Sequence, residues 1–214
     1  MPTTGIDAIM RWAGRGPDTP FPHQLAFLLN NPIRITVARP ARFIARLDLT
    51  GSERVLEVGP GDGYYSAEIA KRLPDGRLEL FDVQPQMIDK ARRKLERRKL
   101  RNIGYRSGDA GAGLPYPDGA FDVAFLALTI GEIPDKAAAV RELARVLRPG
   151  GALVFLESFP DPDRLSTPEL RDLVNGAQFS FRDRRGSRWL EIVRFTRTAD
   201  GPAAPHGRGH GHRF

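Results

Sequence analysis

Val55-Leu56-Glu57-Val58-Gly59-Pro60-Gly61-Asp62-Gly63-Tyr64-Tyr65-Ser66 decides the reading of this chain. An apolar run enters a glycine-rich turn and leaves as a helix. Glycine in such a turn permits positive φ and lets a ligand lie against bare backbone, so a nucleotide-type ligand is indicated. The spacing narrows the choice. A dinucleotide fingerprint reads G-x-G-x-x-G/A, whereas here Gly59-x-Gly61-x-Gly63 is followed by bulky Tyr64 where the third small residue is required. A phosphate-binding loop is disfavoured too, because no G-K-S/T follows. Glu57 argues the same way: a carboxylate beside the turn repels pyrophosphate and suits a ligand carrying ammonium and sulfonium charge.

Outward from this turn, short apolar or β-branched runs alternate with amphipathic stretches, the pattern of a parallel sheet covered on both faces. Strands are expected at Arg54 to Val58, Arg77 to Asp82, Ile103 to Ser107, Phe121 to Ala127, Ala152 to Glu157, Ala177 to Arg182 and Trp189 to Phe195. Tyr65, Ile69 and Leu73 recur at helical spacing, as do Ile88, Ala91 and Leu95, and Val140, Leu143, Ala144 and Leu147. The last helix should stop at Arg148, before Pro149-Gly150-Gly151 turns the chain into the next strand. After Glu157 the alternation breaks down, and only Gly186 and charged neighbours separate the last two strands. That suits a hairpin, which makes the final strand antiparallel. The fold class is therefore α/β, a doubly wound seven-stranded sheet, mostly parallel.

Residues 1–50 are cut by Pro17, Pro20, Pro22, Pro32 and Pro40, with helical patches expected at His23 to Leu29 and Ala41 to Leu47; this reads as an N-terminal helical cap or lid. Residues 51–197 form the ligand-binding domain, and 198–214 a flexible Gly/His/Pro-rich tail. His206, His210 and His212 lie in that tail without neighbouring carboxylates to fix a metal's geometry, so no metal is expected.

With 214 residues, 41% apolar and 28% charged, the chain has room for one sizeable core and is neither disordered nor a multi-span membrane protein. The absence of cysteine excludes disulfide scaffolds, zinc-thiolate sites and thiol nucleophiles, and fits a cytoplasmic location. No secretory signal is visible in Met1 to Gly16, and the best apolar run near the start, Leu25 to Leu29, is far short of the about 20 residues that cross a bilayer. Lys and Arg total 33 against 26 Asp and Glu, a net charge of +7 carried mostly by arginine. The run from Lys90 to Arg101 offers contact with anionic surfaces, though no aromatic residues are interleaved in it for base stacking.

The motif at residues 55–66 closely resembles that of class I S-adenosylmethionine (SAM)-dependent methyltransferases, a strand-end acid followed by G-x-G-x-G. Leu80-Phe81-Asp82-Val83-Gln84-Pro85-Gln86-Met87-Ile88 is similar to the family's D-x-S-P-x-M segment, with Gln84 in place of serine. Ser107-Gly108-Asp109-Ala110 looks like its G-D-A, Leu114 to Ala124 like its L-P-F-P-D-x-S-F-D stretch, and Glu142 to Gly151 like its R-V-L-K-P-G-G turn. The resemblance covers residues 50 to 195, roughly two-thirds of the chain, in family order. It implies a Rossmann-like sheet of order 3-2-1-4-5-7-6, with SAM as cofactor and S-adenosylhomocysteine (SAH) as product. It also implies cofactor contacts from Glu57, Gly59, Pro60, Gly61, Gly63, Tyr65, Asp82, Val83, Met87, Asp109, Ala110, Leu126 and Ala127. Among these Asp82 would accept hydrogen bonds from both ribose hydroxyls, Asp109 would bind the adenine amino group, and Ala110 would offer its backbone to the ring. Leu128 and Thr129 would join Leu126 and Ala127 on the methionine side, and Thr129 to Asp135 would face the acceptor.

Methyl transfer from a sulfonium is an in-line displacement, so a base is needed only for a protonated acceptor. The candidates are Glu132, Glu157, His23 and Asp161, with Glu132 put first. No N/D-P-P-Y/F motif is present to grip an exocyclic amine, which leaves small-molecule or lipid-like acceptors. Asn31-Pro32-Ile33-Arg34 and Asp161-Pro162-Asp163 resemble the quinone C-methylating group in particular. Two other readings stay open, an RNA or other nucleic acid methyltransferase and a SAM-binding protein without turnover.

Overall fold

The computed structural model describes residues 40–158, 161, 163–187 and 190–199. They form α1 (Pro40–Ile44, continued by a 3-10 turn over Ala45–Leu47), β1 (Arg54–Val58), α2 (Ser66–Lys71), β2 (Arg77–Asp82), α3 (Pro85–Arg97) and β3 (Ile103–Ser107). Then come β4 (Phe121–Ala127), a 3-10 turn (Ile130–Glu132), α4 (Lys136–Val146), β5 (Leu147–Ser158), α5 (Thr167–Val174), β6 (Phe179–Ser187) and β7 (Leu190–Arg197). The strands make one seven-stranded sheet of order β3-β2-β1-β4-β5-β7-β6. β7 runs antiparallel to both neighbours, while β1 to β5 are mutually parallel. This is the doubly wound arrangement expected from the sequence, with the reversal of strand order between β1 and β4.

Strand alternation sends side chains into two cores. Leu56, Val58, Ala124, Leu126, Leu153, Phe155, Val193 and Phe195 face α4 and α5. Val55, Leu78, Leu80, Val123, Phe125, Val154, Leu156 and Ile192 face α1, α2 and α3. In α3, Pro85 opens the helix and Met87, Ile88, Ala91 and Leu95 form its buried stripe, while Arg92, Arg93 and Arg97 take the outer side. Asp135 caps α4 by accepting the Ala138 N–H at 2.8 Å, and Ser166 with Glu169 forms a capping box on α5.

Several expected boundaries move. The helix carrying Val140 ends at Val146 rather than Arg148, and Pro149-Gly150-Gly151 lies inside β5. There it bulges the strand: Leu147 pairs with Phe121, and Ala152 next pairs with Val123. Gly150 has φ +78°, which explains why a turn signal reads correctly as irregular backbone yet falsely as a helix stop. β6 starts and ends later than Ala177 to Arg182, at Phe179–Ser187, and β7 extends past Phe195 to Arg197. α5 was not foreseen, because its buried stripe consists of Leu170 and Val174 alone. Of the expected cap, the Ala41 to Leu47 patch is helical; residues 1–39 and the His-rich end lie outside the described residues.

A buried arginine ties the end of α1 to the β6–β7 edge of the sheet. Arg194 on β7 is 1% exposed and donates to both carboxylate oxygens of Asp183, to Asp48 and to the Arg46 carbonyl. Replacing it would leave the Arg46 carbonyl without this donor and Asp48 and Asp183 with Arg185 alone, so Arg194→Met should cost about 2 kcal/mol in urea unfolding. Arg148→Ala removes an exposed ion pair with Asp122 and should cost less than about 1 kcal/mol. Equal losses in the two variants would show that the buried bridge contributes no more than a surface pair.

Candidate functional site

At the carboxyl ends of β1, β2 and β4 lies a cavity of about 530 Å³, in the crevice where strand order reverses. Its floor is the glycine turn after β1. Gly59, Gly61 and Gly63 have φ of +68°, +56° and +81°, so the turn takes the left-handed backbone that glycine alone adopts at little cost. A Cβ on Gly59 would stand 2.2 Å from the Thr129 methyl, which fixes glycine there on space as well as on backbone. Thr129 closes this contact from β4 by donating its hydroxyl to the carbonyls of Gly59, at 3.3 Å, and Ala127, at 3.0 Å. Next to it Leu128 has φ +56°, a strained conformation for leucine costing roughly 1–2 kcal/mol. Its N–H bonds the Leu156 carbonyl at 2.9 Å, and its side chain lines the cavity.

Asp82 ends β2 at the cavity wall, 7% exposed. It accepts the Gln84 N–H at 2.9 Å. Burial pushes its carboxyl up to about 6, against the lowering effect of the Gln84 and Gly61 backbone N–H groups. Asp109, after β3, also lines the cavity and accepts the Gly111 N–H at 2.8 Å. Gly108 lets that loop close in, since a Cβ there would stand 2.9 Å from the Phe81 ring. Tyr65 packs edge-to-face on Tyr64 and Phe125 beneath the turn.

The lining includes Gly59, Pro60, Gly61, Tyr65, Asp82, Val83, Met87, Asp109, Ala110, Ala127, Glu132 and Asp161, so most of the residues expected from the sequence meet there. Three expected contacts do not line it. Gly63 faces α3, where a Cβ would lie 3.3 Å from Leu95, so it serves helix packing. Leu126 is fully buried in the sheet. Glu57 is 1% exposed, with Oε2 lacking a partner. Burial pushes the Glu57 carboxyl up to about 8, the Asp82 charge adds to this, and the Ser66 hydroxyl opposes it without a well-formed hydrogen bond.

Asp62, Tyr64, Phe81, Gln84 and Ser158 line the cavity and were not singled out as contacts. Asp62 and Tyr64 lie within the decisive motif, and Ser158 ends a strand on the ligand side of the sheet, which are signals that position alone supplied. Lys94 of α3 holds Asp62 in place at 3.0 Å. Glu157 lies behind the lining, and His23 falls outside the described residues.

The charge of the lining decides which ligand suits it. Asp62, Asp82, Asp109, Glu132 and Asp161 contribute five carboxyl groups, and no Lys, Arg or His lines the cavity among the described residues. In a chain of net charge +7 this is a local reversal of sign, favourable to a cation and hostile to pyrophosphate.

Residues 55–151 match the family described as a methyltransferase domain. Over this stretch the chain carries a methyltransferase domain. It is 38% identical over 137 residues to the demethylmenaquinone methyltransferase of Deinococcus radiodurans, covering 63% of this chain and 56% of that one. It is 36% identical over 121 residues to a ubiquinone/menaquinone biosynthesis C-methyltransferase of Enterobacter, covering 52% and 46%. The chain thus spans about half the length of the curated relatives it matches. A SAM-dependent methyltransferase structure from Aquifex aeolicus superposes with a TM-score of 0.77 at 22% identity, over 84% of this chain and all of that one, and shares the fold.

The cofactor of class I enzymes is SAM, and the residues present fit it. The cradle of bare glycine backbone, the strand-end carboxyl of Asp82 and a lining without cations match a nucleoside joined to a sulfonium and an ammonium group.

The buried Glu57 gives a pH test of this site. The folded carboxyl binds its proton up to about 8 and the unfolded one only to about 4.5, so folding loses stability as pH rises through that window. Glu57→Gln removes the ionisation. Ligand-free protein should then melt higher than wild type at pH 8.5 and almost unchanged at pH 4. A gain of the same size at both pH values would assign the effect to packing instead.

Proposed function

We propose that this protein transfers the methyl group of SAM to a small-molecule acceptor of the quinol class. The observation that carries the cofactor half is a lining whose charged residues are all acidic, around a glycine cradle in a basic chain. The similarity to quinone C-methyltransferases supports the acceptor half. Residues 51–197 are the cofactor-binding domain in this reading, and the cytoplasm is its location.

SAM supplies a methyl group already activated on sulfur. Asp82 would hold the ribose hydroxyls, through charge-assisted bonds that an ionised carboxyl at the end of β2 makes well. Asp109 and the Ala110 backbone would hold the adenine, with Val83 and Met87 against the nucleoside. The Gly59–Gly61 backbone would pass beneath the methionine part, and Ala127 to Thr129 beside it. The acceptor end, formed by Leu128, Ile133 and Pro134 with Glu132, Ser158 and Asp161, pairs apolar walls with carboxyls. Such walls exclude water from a displacement that needs alignment more than functional groups.

Calorimetry tests the cofactor assignment. SAH should bind wild type and bind Asp82→Ala at least ~10-fold more weakly, since each charge-assisted hydrogen bond is worth about 1.5–3 kcal/mol. NAD should give no heat. Tight NAD binding without an SAH signal would replace the methyltransferase reading with an oxidoreductase one.

A further inference from the structure

Leu128, where β4 leaves the sheet, has a conformation that its residue type does not explain. Among the described residues four that are not glycine have positive φ: Asp48, Lys99, Leu128 and Gln178. Asp48 ends the 3-10 turn after α1, Lys99 lies in the turn after α3, and Gln178 in the turn between α5 and β6. Those three are polar residues in positions where such turns are common. Leu128, at φ +56°, is the apolar one. A left-handed backbone sets its Cβ against the following carbonyl, whereas glycine adopts the same conformation freely.

The backbone is fixed on both sides of this residue. The Leu128 N–H reaches the Leu156 carbonyl at 2.9 Å, one residue past the last β4–β5 pair at Ala127. Thr129 is anchored by its hydroxyl to the carbonyls of Ala127, at 3.0 Å, and Gly59, at 3.3 Å. Between these anchors the chain has to turn, and glycine would turn with less strain. The leucine side chain must therefore have a use of its own. That use is not the folded core: Ala127 packs on one core and Ile130 is buried in the other, whereas Leu128 joins neither and stays half-buried. It lines the cavity instead.

Leu128 stands at the junction of the two halves of the cavity. Next to it in the chain, Thr129 packs against the glycine cradle at Gly59. Beyond Thr129, the 3-10 turn of Ile130–Glu132 leads to Ile133 and Pro134, the other apolar residues of the acceptor end. This wall has little room to retreat, because the loop after β5 packs on the turn so closely that a Cβ on Gly131 would overlap the Asp163 carbonyl. Strain retained at the wall of a site, on a side chain the core does not use, marks a residue held for a ligand.

We propose, resting on the methyl-transfer reading, that Leu128 is the specificity-determining residue of the acceptor end: its side chain packs on a flat quinol ring and holds the accepting atom in line with the sulfonium methyl group. In such a displacement the reacting atoms have to lie about 3–3.5 Å apart with their axis aligned, so a side chain that limits how the ring tilts and slides acts directly on rate. The handedness of the backbone sets the direction of Cβ, and the left-handed turn at Leu128 is what aims this side chain. Because the neighbouring wall is clamped, the bulk at position 128 decides how wide a ring fits.

The test uses the full chain, SAM and two acceptors of different width, a short-tailed demethylated naphthoquinol and a short-tailed demethylated benzoquinol. Steady-state kinetics, SAH affinity and the urea midpoint are measured for wild type, Leu128→Ala and Leu128→Gly. Both variants should lose ~30-fold in kcat/KM, mostly in kcat, with the one-ring acceptor losing at least ~5-fold more than the two-ring one, which still spans the widened site. SAH affinity should stay at the wild-type level, because neither variant alters the contact of Gly59 with Thr129. The urea midpoint of Leu128→Gly should equal or exceed that of wild type, since relief of strain outweighs the added freedom of the unfolded chain. Leu128→Ala keeps a Cβ and reads the loss of the side chain alone. Wild-type kcat/KM in Leu128→Ala, or an unchanged ratio between the two acceptors, would overturn the proposal and leave the methyl-transfer reading standing. So would a lowered urea midpoint in Leu128→Gly, which would make the residue a packing one, or an SAH affinity that falls in step with the rate. Failure of wild type to bind SAH, or to methylate either quinol, would overturn both.

Discussion

The contact between Gly59 and Thr129 is the constraint on which the rest of the site depends. It joins the turn after β1 to the exit of β4, the neighbouring strands between which the order of the sheet reverses. Because the Thr129 side chain occupies the place a Cβ at position 59 would need, the two carboxyl ends meet with backbone against side chain. Once they meet there, the chain after β4 has to turn sharply, and Leu128 takes up the turn with a left-handed backbone. The strain is held by the Leu156 carbonyl on one side and by Thr129 on the other. Cofactor cradle and acceptor wall are therefore one connected piece of backbone.

The sequence shows this piece well because its determinants are local. Gly59 and Gly61 after β1 and an acid ending β2 fix the cradle by residue type and spacing alone. The strand register follows from runs that are apolar on both sides, as buried parallel strands must be. What the sequence conceals depends on partners distant in the chain. The Pro149-Gly150-Gly151 signal is compatible with a helix stop or a strand bulge, and only pairing with Phe121 and Val123 selects the bulge. Gly63 looks like a cradle glycine and is set by the approach of Leu95 from α3. Glu157 looks like any strand-end acid until β7 brings Glu191 opposite it.

Charge is sorted in this protein with little regard to its total. Among the described residues, arginines cluster on the outer side of α3 and along β6, and others are consumed in bridges such as Arg194 with Asp48 and Asp183. The outer run on α3 ends beside the start of β3, at the opposite end of the sheet from the cavity, since the helix runs back against the strands. Apart from Lys94, which pairs with Asp62 of the cavity, its field acts away from the cofactor, where salt screens it over about 10 Å. The cavity sees mainly its own carboxyls.

The cost of holding acids here differs with depth. Asp82 lines the cavity where burial disfavours its charge, so a cationic ligand placed beside it regains what folding withheld. Glu57 lies behind the lining, where burial pushes its carboxyl further up and the Asp82 charge adds to the rise, so positive charge brought to Asp82 eases both acids. A single physical effect, the burial of acids beside the glycine cradle, thus makes a place for positive charge at the ends of β1 and β2.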